Sequence, residues 1–369
     1  MSWVLTLLGI VVLIVLHELG HFTVAKAVGM RVERFSLFFP PTLFRVRRGE
    51  TEYAIGAIPA GGYVKITGMS PEEIGGLEPD VARRAYYTQA PWKRIVVILA
   101  GPGVNIAIAF ALFWLVLFSG SLNGAIALGN LDTSLQTVVA TTSVLKTEPG
   151  EPAAGVLRAG DRIIAVEGRP ATVSSAMTRI SAHRCAGTPT NGCRALTPVH
   201  VTVRRGSRDL TVSIYPRYSK EAQRMLIGFQ FGAAGKQFGA LAAAGAAASA
   251  MWHVTTGTVT GFGRALTSSK VRHQVSSIVG ITQVAHETVV AGAGYAFVFL
   301  GFLSLVLAVI NLFPFLPLDG GHILWSLAEK VRGRRISLLA MYRFSSVGIV
   351  LLMFLVLNGL SNDIGRLGG

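Results

Sequence analysis

Four strongly apolar stretches of this chain, residues 1–16, 95–131, 288–318 and 344–362, contain no Asp, Glu, Lys or Arg. Each has room for most or all of the roughly 20 residues that cross a bilayer as a helix. With 51% hydrophobic and only 14% charged residues, against roughly 25% charged in a typical soluble domain, the chain is too apolar for an ordinary cytosolic protein. Its 34 Lys and Arg against 19 Asp and Glu leave a net charge of +15. Such a balance suits nucleic acid as well as a membrane, but the charges avoid the four apolar stretches, which makes nucleic-acid binding the minor reading.

The run Trp3 to Leu16 has neither a basic n-region nor a small-residue cleavage site, and it leads straight into His17-Glu18-Leu19-Gly20-His21. It reads as a retained span rather than a signal peptide. Further spans are expected near Ile95 to Phe118, Tyr295 to Phe313 and Ser345 to Leu360. The Ala- and Gly-rich segment 239–266 is expected as a helix on or beside the bundle. Segment 26–94 carries eleven Lys and Arg, and Lys330, Arg332, Arg334, Arg335 and Arg343 cluster between the third and fourth spans. In a four-span protein these segments share one side, and the positive-inside rule assigns it to the cytoplasm. Both termini and the long segment 119–287 then face outward.

Within that external segment, Val199 to Val203 and Leu210 to Ile214 alternate as strands around the turn Arg204 to Arg208. The run Pro149 to Gly168 resembles the heart of a bacterial PDZ domain. That resemblance implies a sheet edge beside a helix, able to take an extended peptide as an added strand; the alternative is a small β-domain that merely caps the bundle. The expected organisation is two spans with a cytoplasmic loop over 1–137, a PDZ domain over 138–216, a connecting helical segment over 217–287 and two spans over 288–369. Cys185 and Cys193, separated by Gly187, Pro189, Asn191 and Gly192, are expected either to form a disulfide across a chain reversal or to stay as buried thiols.

The residues that carry chemistry lie at the ends of the apolar stretches. His17 and His21 stand four apart, so on a helix they share one face and can hold one metal ion, with Glu18 beside them as general base. Ionisable groups closing an uncharged span are expensive and mark function. Catalytic zinc needs a third protein ligand and an open position. Asp319, which ends the third uncharged stretch in Asn311-Leu312-Phe313-Pro314-Phe315-Leu316-Pro317-Leu318-Asp319-Gly320-Gly321-His322, is the candidate. The first and third spans run in the same direction, so both motifs fall at the same membrane depth. Pro314 and Pro317 exclude a regular helix between them.

These motifs resemble the site-2 protease family of intramembrane zinc metalloproteases, and the resemblance covers nearly the whole chain. It extends to Gly61-Gly62-Tyr63-Val64-Lys65, Ala100-Gly101-Pro102-Gly103-Val104-Asn105 and the external PDZ domain. The single PDZ domain makes it similar to the actinobacterial members of the branch that releases sigma factors. One departure is Val275-Ser276-Ser277-Ile278-Val279-Gly280-Ile281, where the family often has Ser-Gly-Pro-Val-Gly-Ile.

The resemblance implies a multi-pass α-helical protein of the bacterial inner membrane, with about four transmembrane helices, an extracytoplasmic PDZ domain and a membrane-associated β-hairpin over Glu50 to Ile66. It implies Zn2+ held by His17, His21 and Asp319, with Glu18 passing a proton from water to the leaving amine. Asn311 is expected to hold the substrate backbone or, alternatively, to make an interhelical hydrogen bond. The hairpin around Gly61 and Gly62 is expected to pair with an unwound substrate helix or to be an ordinary cytoplasmic hairpin. The implied substrate is a single-span membrane protein such as an anti-sigma factor, with the PDZ domain excluding untrimmed substrates or binding a trimmed C-terminus. A zinc transporter, which would not need Glu18 beside the ligands, and a catalytically inactive scaffold, against which the intact metal motif speaks, are the competing functions.

Overall fold

Long apolar runs satisfy their backbone internally as helices, while the polar, β-branched segments between them pair as strands. The computed structural model of the chain describes residues 2–69, 71–273, 275–334 and 336–367. In chain order the elements are α1 (Ser2–Ala27), β1 (Val32–Arg48), β2 (Thr51–Ile66), α2 (Pro79–Ala82), α3 (Pro91–Ser119), α4 (Leu122–Leu131), β3 (Val138–Thr147), β4 (Arg162–Val166), β5 (Arg169–Pro170) and α5 (Val173–Ser181). They continue with β6 (Val199–Arg205), β7 (Arg208–Ile214), β8 (Arg217–Ser219), β9 (Arg224–Leu226), β10 (Phe229–Gly235), α6 (Ala240–Thr267), α7 (Ser269–Arg272), α8 (Ile278–Ala291), α9 (Ala293–Asn311), α10 (Asp319–Arg332) and α11 (Leu338–Leu367). The chain forms two compact units: Met1–Ser119 with Asn130–Leu135 and Phe238–Gly369, and Gly120–Gly129 with Gln136–Gln237.

The first unit is the helical bundle. Among the described residues, four helices are long and apolar enough to cross a membrane: α1, α3, α9 and the Leu339–Arg366 portion of α11. They coincide with the four uncharged stretches, and the chain is a membrane protein. Pro91 opens α3 at a position where its missing N–H costs nothing, whereas Pro102 sits inside the same helix and leaves one carbonyl without its usual donor. Helix α9 stops at Asn311, Pro314 and Pro317 keep the following residues irregular, and α10 starts at Asp319. The Ala-rich α6 buries Ala243, Ala246, Ala247 and Ala250, and its Val254 packs with Ala109 of α3 and Leu305 of α9. Small side chains let it approach closely. At the start of α8, Asp363 Oδ2 accepts from Ser277 N–H at 2.7 Å, Ser277 Oγ at 2.6 Å and Gly280 N–H at 3.0 Å. A carboxylate at a helix N-terminus meets the unpaired donors and the positive end of the dipole.

Strands β1 and β2 are long enough to pair with each other twice. Phe35 opposes both Tyr53 and Val64, and Ser36 opposes both Ala54 and Tyr63, while Phe44 to Arg48 oppose Ile55 to Thr51. Residues 32–37 therefore run centrally between 51–55 and 62–66, and the Gly62 to Ile66 segment becomes an outer edge. Val32 and Ile66 bury against Ala25, Tyr86, Tyr87, Val97 and Ile98, which ties the sheet to α1 and α3. Leu43, Phe44, Val46, Ile55 and Ile58 stay exposed on the sheet.

The second unit is a sheet in the order β10-β3-β4-β6-β7, with β5 on β4, covered by α5. Its core gathers Val144, Leu157, Ile163, Val201, Val203 and Ile214. Thr172 caps α5 by accepting from Ser175 N–H at 3.1 Å. Segment 217–237 was expected to open the helical connector after a domain ending at 216. It instead forms β8, β9 and β10, and β10 pairs antiparallel with β3, Phe229 opposite Thr147 and Gly235 opposite Val138. A strand that returns from so far along the chain leaves no local signal of its partner. Cys185 and Cys193 are joined in a disulfide.

Candidate metal centre

The imidazoles of His17 and His21 project from one face of α1 because four residues complete about one helical turn. They meet Asp319, which the break between α9 and α10 brings to the first position of α10. His17 Nε2 lies 3.3 Å from His21 Nε2, and Asp319 Oδ2 lies 3.4 Å from each of them. All three side chains are buried or nearly so.

That triangle is the test of whether the residues suit a metal. His21 Nδ1 lies 2.9 Å from the Val97 carbonyl oxygen of α3. A carbonyl can only accept, so Nδ1 carries the proton and Nε2 turns a lone pair inward. Asp319 Oδ2 is buried and, among the described residues, has no hydrogen-bond donor. Acceptors facing one another at 3.3 to 3.4 Å repel unless a cation lies among them. Zinc bonds of about 2.0 to 2.1 Å to N and O at tetrahedral angles require ligand separations of about 3.3 to 3.4 Å. The donor set and its spacing fit zinc.

Helix α3 supplies the wall behind the histidines. A β-carbon on Gly101 would fall on the His21 ring, so only glycine allows α3 this close to α1. One helical turn on, Asn105 is fully buried and its Nδ2 lies 3.4 Å from His17 Nδ1. Ser304 of α9 donates to the Asn105 carbonyl at 2.9 Å and joins the two helices at this depth.

The other expected site residues gather around the same point. Asn311 Nδ2, at the last position of α9, lies 3.5 Å from His17 Nε2. Glu18 faces the edge segment of β2, where the Val64 N–H points to its carboxylate and Gly62 leaves room for its side chain. Gly61, with φ at +145°, precedes it and packs on Phe39. Reasoning from the sequence assigned no part to Asn105 or to the Val97 carbonyl. The signal for Asn105 was an amide in an uncharged stretch, which must find a partner inside the protein; a backbone carbonyl gives no signal at all.

A buried pair of histidines and a carboxylate that fit zinc, with a second carboxylate beside them, define the class of zinc-dependent hydrolases. A model of peptidase family M50 matches residues 5–355, and the chain belongs to that family: it is a zinc metalloprotease. It is 34% identical to zinc metalloprotease Rip1 of Mycobacterium tuberculosis H37Rv over 89% of this chain and 86% of that protein. To zinc metalloprotease Rip1 of Mycolicibacterium smegmatis it is 30% identical over the same shares. The solved PDZ domain of an SdrC-like protein from Listeria monocytogenes aligns with 26% of this chain and 93% of its own at 17% identity and a TM-score of 0.21, too slight to bear on the fold. Family membership sets the transporter alternative aside.

Proposed function

We propose that this chain is an intramembrane protease that cuts a peptide bond within or near the transmembrane segment of a single-span membrane protein, of the anti-sigma-factor type, in regulated intramembrane proteolysis. The observation that carries this reading is the convergence of His17 and His21, on the membrane-length helix α1 and beside Glu18, with Asp319 at the start of α10, just beyond the membrane-length helix α9. His17, His21 and Asp319 would hold a zinc ion, which would supply a Lewis acid for a water molecule and the scissile carbonyl. Glu18 takes the proton from that water and delivers it to the leaving amine. Asn311, at the same point, steadies the substrate backbone.

A helix in lipid has its backbone bonded internally, so a substrate must be held extended before its peptide bond can be attacked. The Gly62 to Ile66 segment of β2, beside Glu18, is an outer strand that an extended chain can join, and the exposed Leu43, Phe44 and Ile58 suit a hairpin dipping into the membrane. The positive-inside bias supports an inner-membrane protein with its termini and inserted domain outside. On that domain, Met177, Ile180, Phe229 and Phe231 line a groove of about 100 Å3 with Arg224 beside it. The groove suits an apolar peptide C-terminus, its carboxylate paired with the arginine.

The experiment compares Glu18→Gln, His17→Ala and Asp319→Ala with the natural chain in cells. Glu18→Gln is expected to keep zinc and to lose at least about a hundredfold in cleavage, so that an uncut single-span protein accumulates. His17→Ala and Asp319→Ala are expected to lose zinc as well. Undiminished zinc in Asp319→Ala, or substantial cleavage by Glu18→Gln, would remove the assignment.

A further inference from the structure

We infer that Asn105 is a positioning residue for His17: its side-chain oxygen accepts the His17 Nδ1 proton and so turns the Nε2 lone pair toward the metal. The inference rests on the reading of His17 as a zinc ligand and adds a member that the metal motif does not contain.

His21 has its tautomer set by a backbone carbonyl, that of Val97 at 2.9 Å. Among the described residues, no backbone carbonyl does this for His17. What faces its Nδ1 is the Asn105 amide at 3.4 Å, with Nδ2 toward the ring. In that orientation Asn105 Oδ1 is buried with no partner. An amide donor would also force His17 Nδ1 to be the acceptor, placing the ring proton on Nε2, toward His21 Nε2 and Asp319 Oδ2. The two ends of an amide are assigned from hydrogen bonding rather than from shape. Turning the Asn105 amide by half a rotation resolves both conflicts: Oδ1 gains a donor, and His17 gains an acceptor for Nδ1–H.

The surroundings hold Asn105 where this requires it. Its residue is fully buried, it lies one turn beyond Gly101, where α3 closes on His21, and its own carbonyl accepts from Ser304 of α9. A histidine ligand whose second nitrogen is bonded to an acceptor binds metal more tightly and in one orientation. Helix α3 would then orient both histidines of α1, one through its backbone and one through a side chain.

The test measures zinc affinity of the purified full chain by competition with a chelator. Asn105→Leu, similar in size and without an acceptor, is expected to bind zinc about tenfold to a hundredfold more weakly. Asn105→Asp keeps an acceptor at the same reach and is expected to retain affinity, which guards against a Leu variant that fails to fold. In a His17→Ala background, the two Asn105 variants are expected to bind alike. Histidine 15N shifts of the metal-free chain give a second readout: the signal absent from His17→Ala should report an Nδ1–H ring in the natural chain and lose that tautomer in Asn105→Leu. Natural affinity in Asn105→Leu, or equal losses in the Leu and Asp variants, overturns the inference while leaving His17 a ligand. If His17→Ala itself binds zinc normally, the reading of the ligand set fails and this inference falls with it.

Discussion

Gly62 of β2 and Glu18 of α1 meet so closely that a β-carbon on Gly62 would come to 2.9 Å from Glu18 Cγ and 3.0 Å from the Ser36 carbonyl oxygen. The edge strand and the proposed general base thus fix each other's position. Gly62→Ala is expected to displace one of them and to slow cleavage of a single-span substrate severalfold or more, with zinc content unchanged. Cleavage assays paired with metal analysis check this; unimpaired turnover would show that the approach is dispensable.

Arg94 and Glu329 form a buried ion pair at 2.7 Å that joins α3 to α10, the helix that begins with Asp319. The guanidinium also lies over the rings of Tyr86 and Tyr87. Removing one partner strands a buried charge, a loss of about 3–5 kcal/mol, whereas replacing both with apolar residues of similar size is often nearly neutral. Arg94→Met and Glu329→Leu are each expected to lower thermal stability in detergent, and the double variant to recover much of it. Equal stability of the single variants and the natural chain would contradict this.

In the second unit, the Arg205 guanidinium donates to Asp161 at 2.8 and 2.6 Å, the Arg158 N–H adds a third bond at 2.8 Å, and together they hold the Asp161 carboxyl below the usual carboxylate range. A lowered folded pKa means that this stabilisation is complete above the unfolded value of about 3.9 and is lost as pH falls through the folded one. Acid unfolding of this unit is therefore expected to begin at higher pH in Arg205→Ala. An acid titration followed by the fluorescence of a label on the unit tests the direction of the shift.

The inserted unit is tied to the bundle at both ends, between α3 and α6. If it excludes substrates that still carry a large external portion, deleting residues 136–237 should allow an untrimmed substrate to be cut. If it instead captures a trimmed C-terminus, the deletion should impair cleavage of the trimmed form. Processing of both forms as before would mean that the unit controls neither step.

Much of the site was legible because its chemistry conflicts with its setting: His17, Glu18, His21 and Asp319 stand at the ends of uncharged stretches, where polar groups are costly. Asn311 was legible only through the family resemblance. The membrane-length helices followed from length and apolar composition, and the Ala- and Gly-rich segment expected as a helix on or beside the bundle is α6, which packs on α3 and α9. Double pairing of β1 with β2 could not be foreseen, since alternation marks a strand but not its number of neighbours. The pairing of β10 with β3 was hidden by distance along the chain. The Val97 carbonyl was hidden because every residue has one.

The break at Pro314 and Pro317 also bears on how the protein is made. His17 and His21 emerge from the ribosome well before Asp319. The ligand set cannot close until α9 has been threaded into the membrane and the chain beyond it has turned into α10. A nascent chain thus carries a divided candidate centre past its neighbours in the membrane, and the proposed ligands meet only once α9 and the start of α10 are in place.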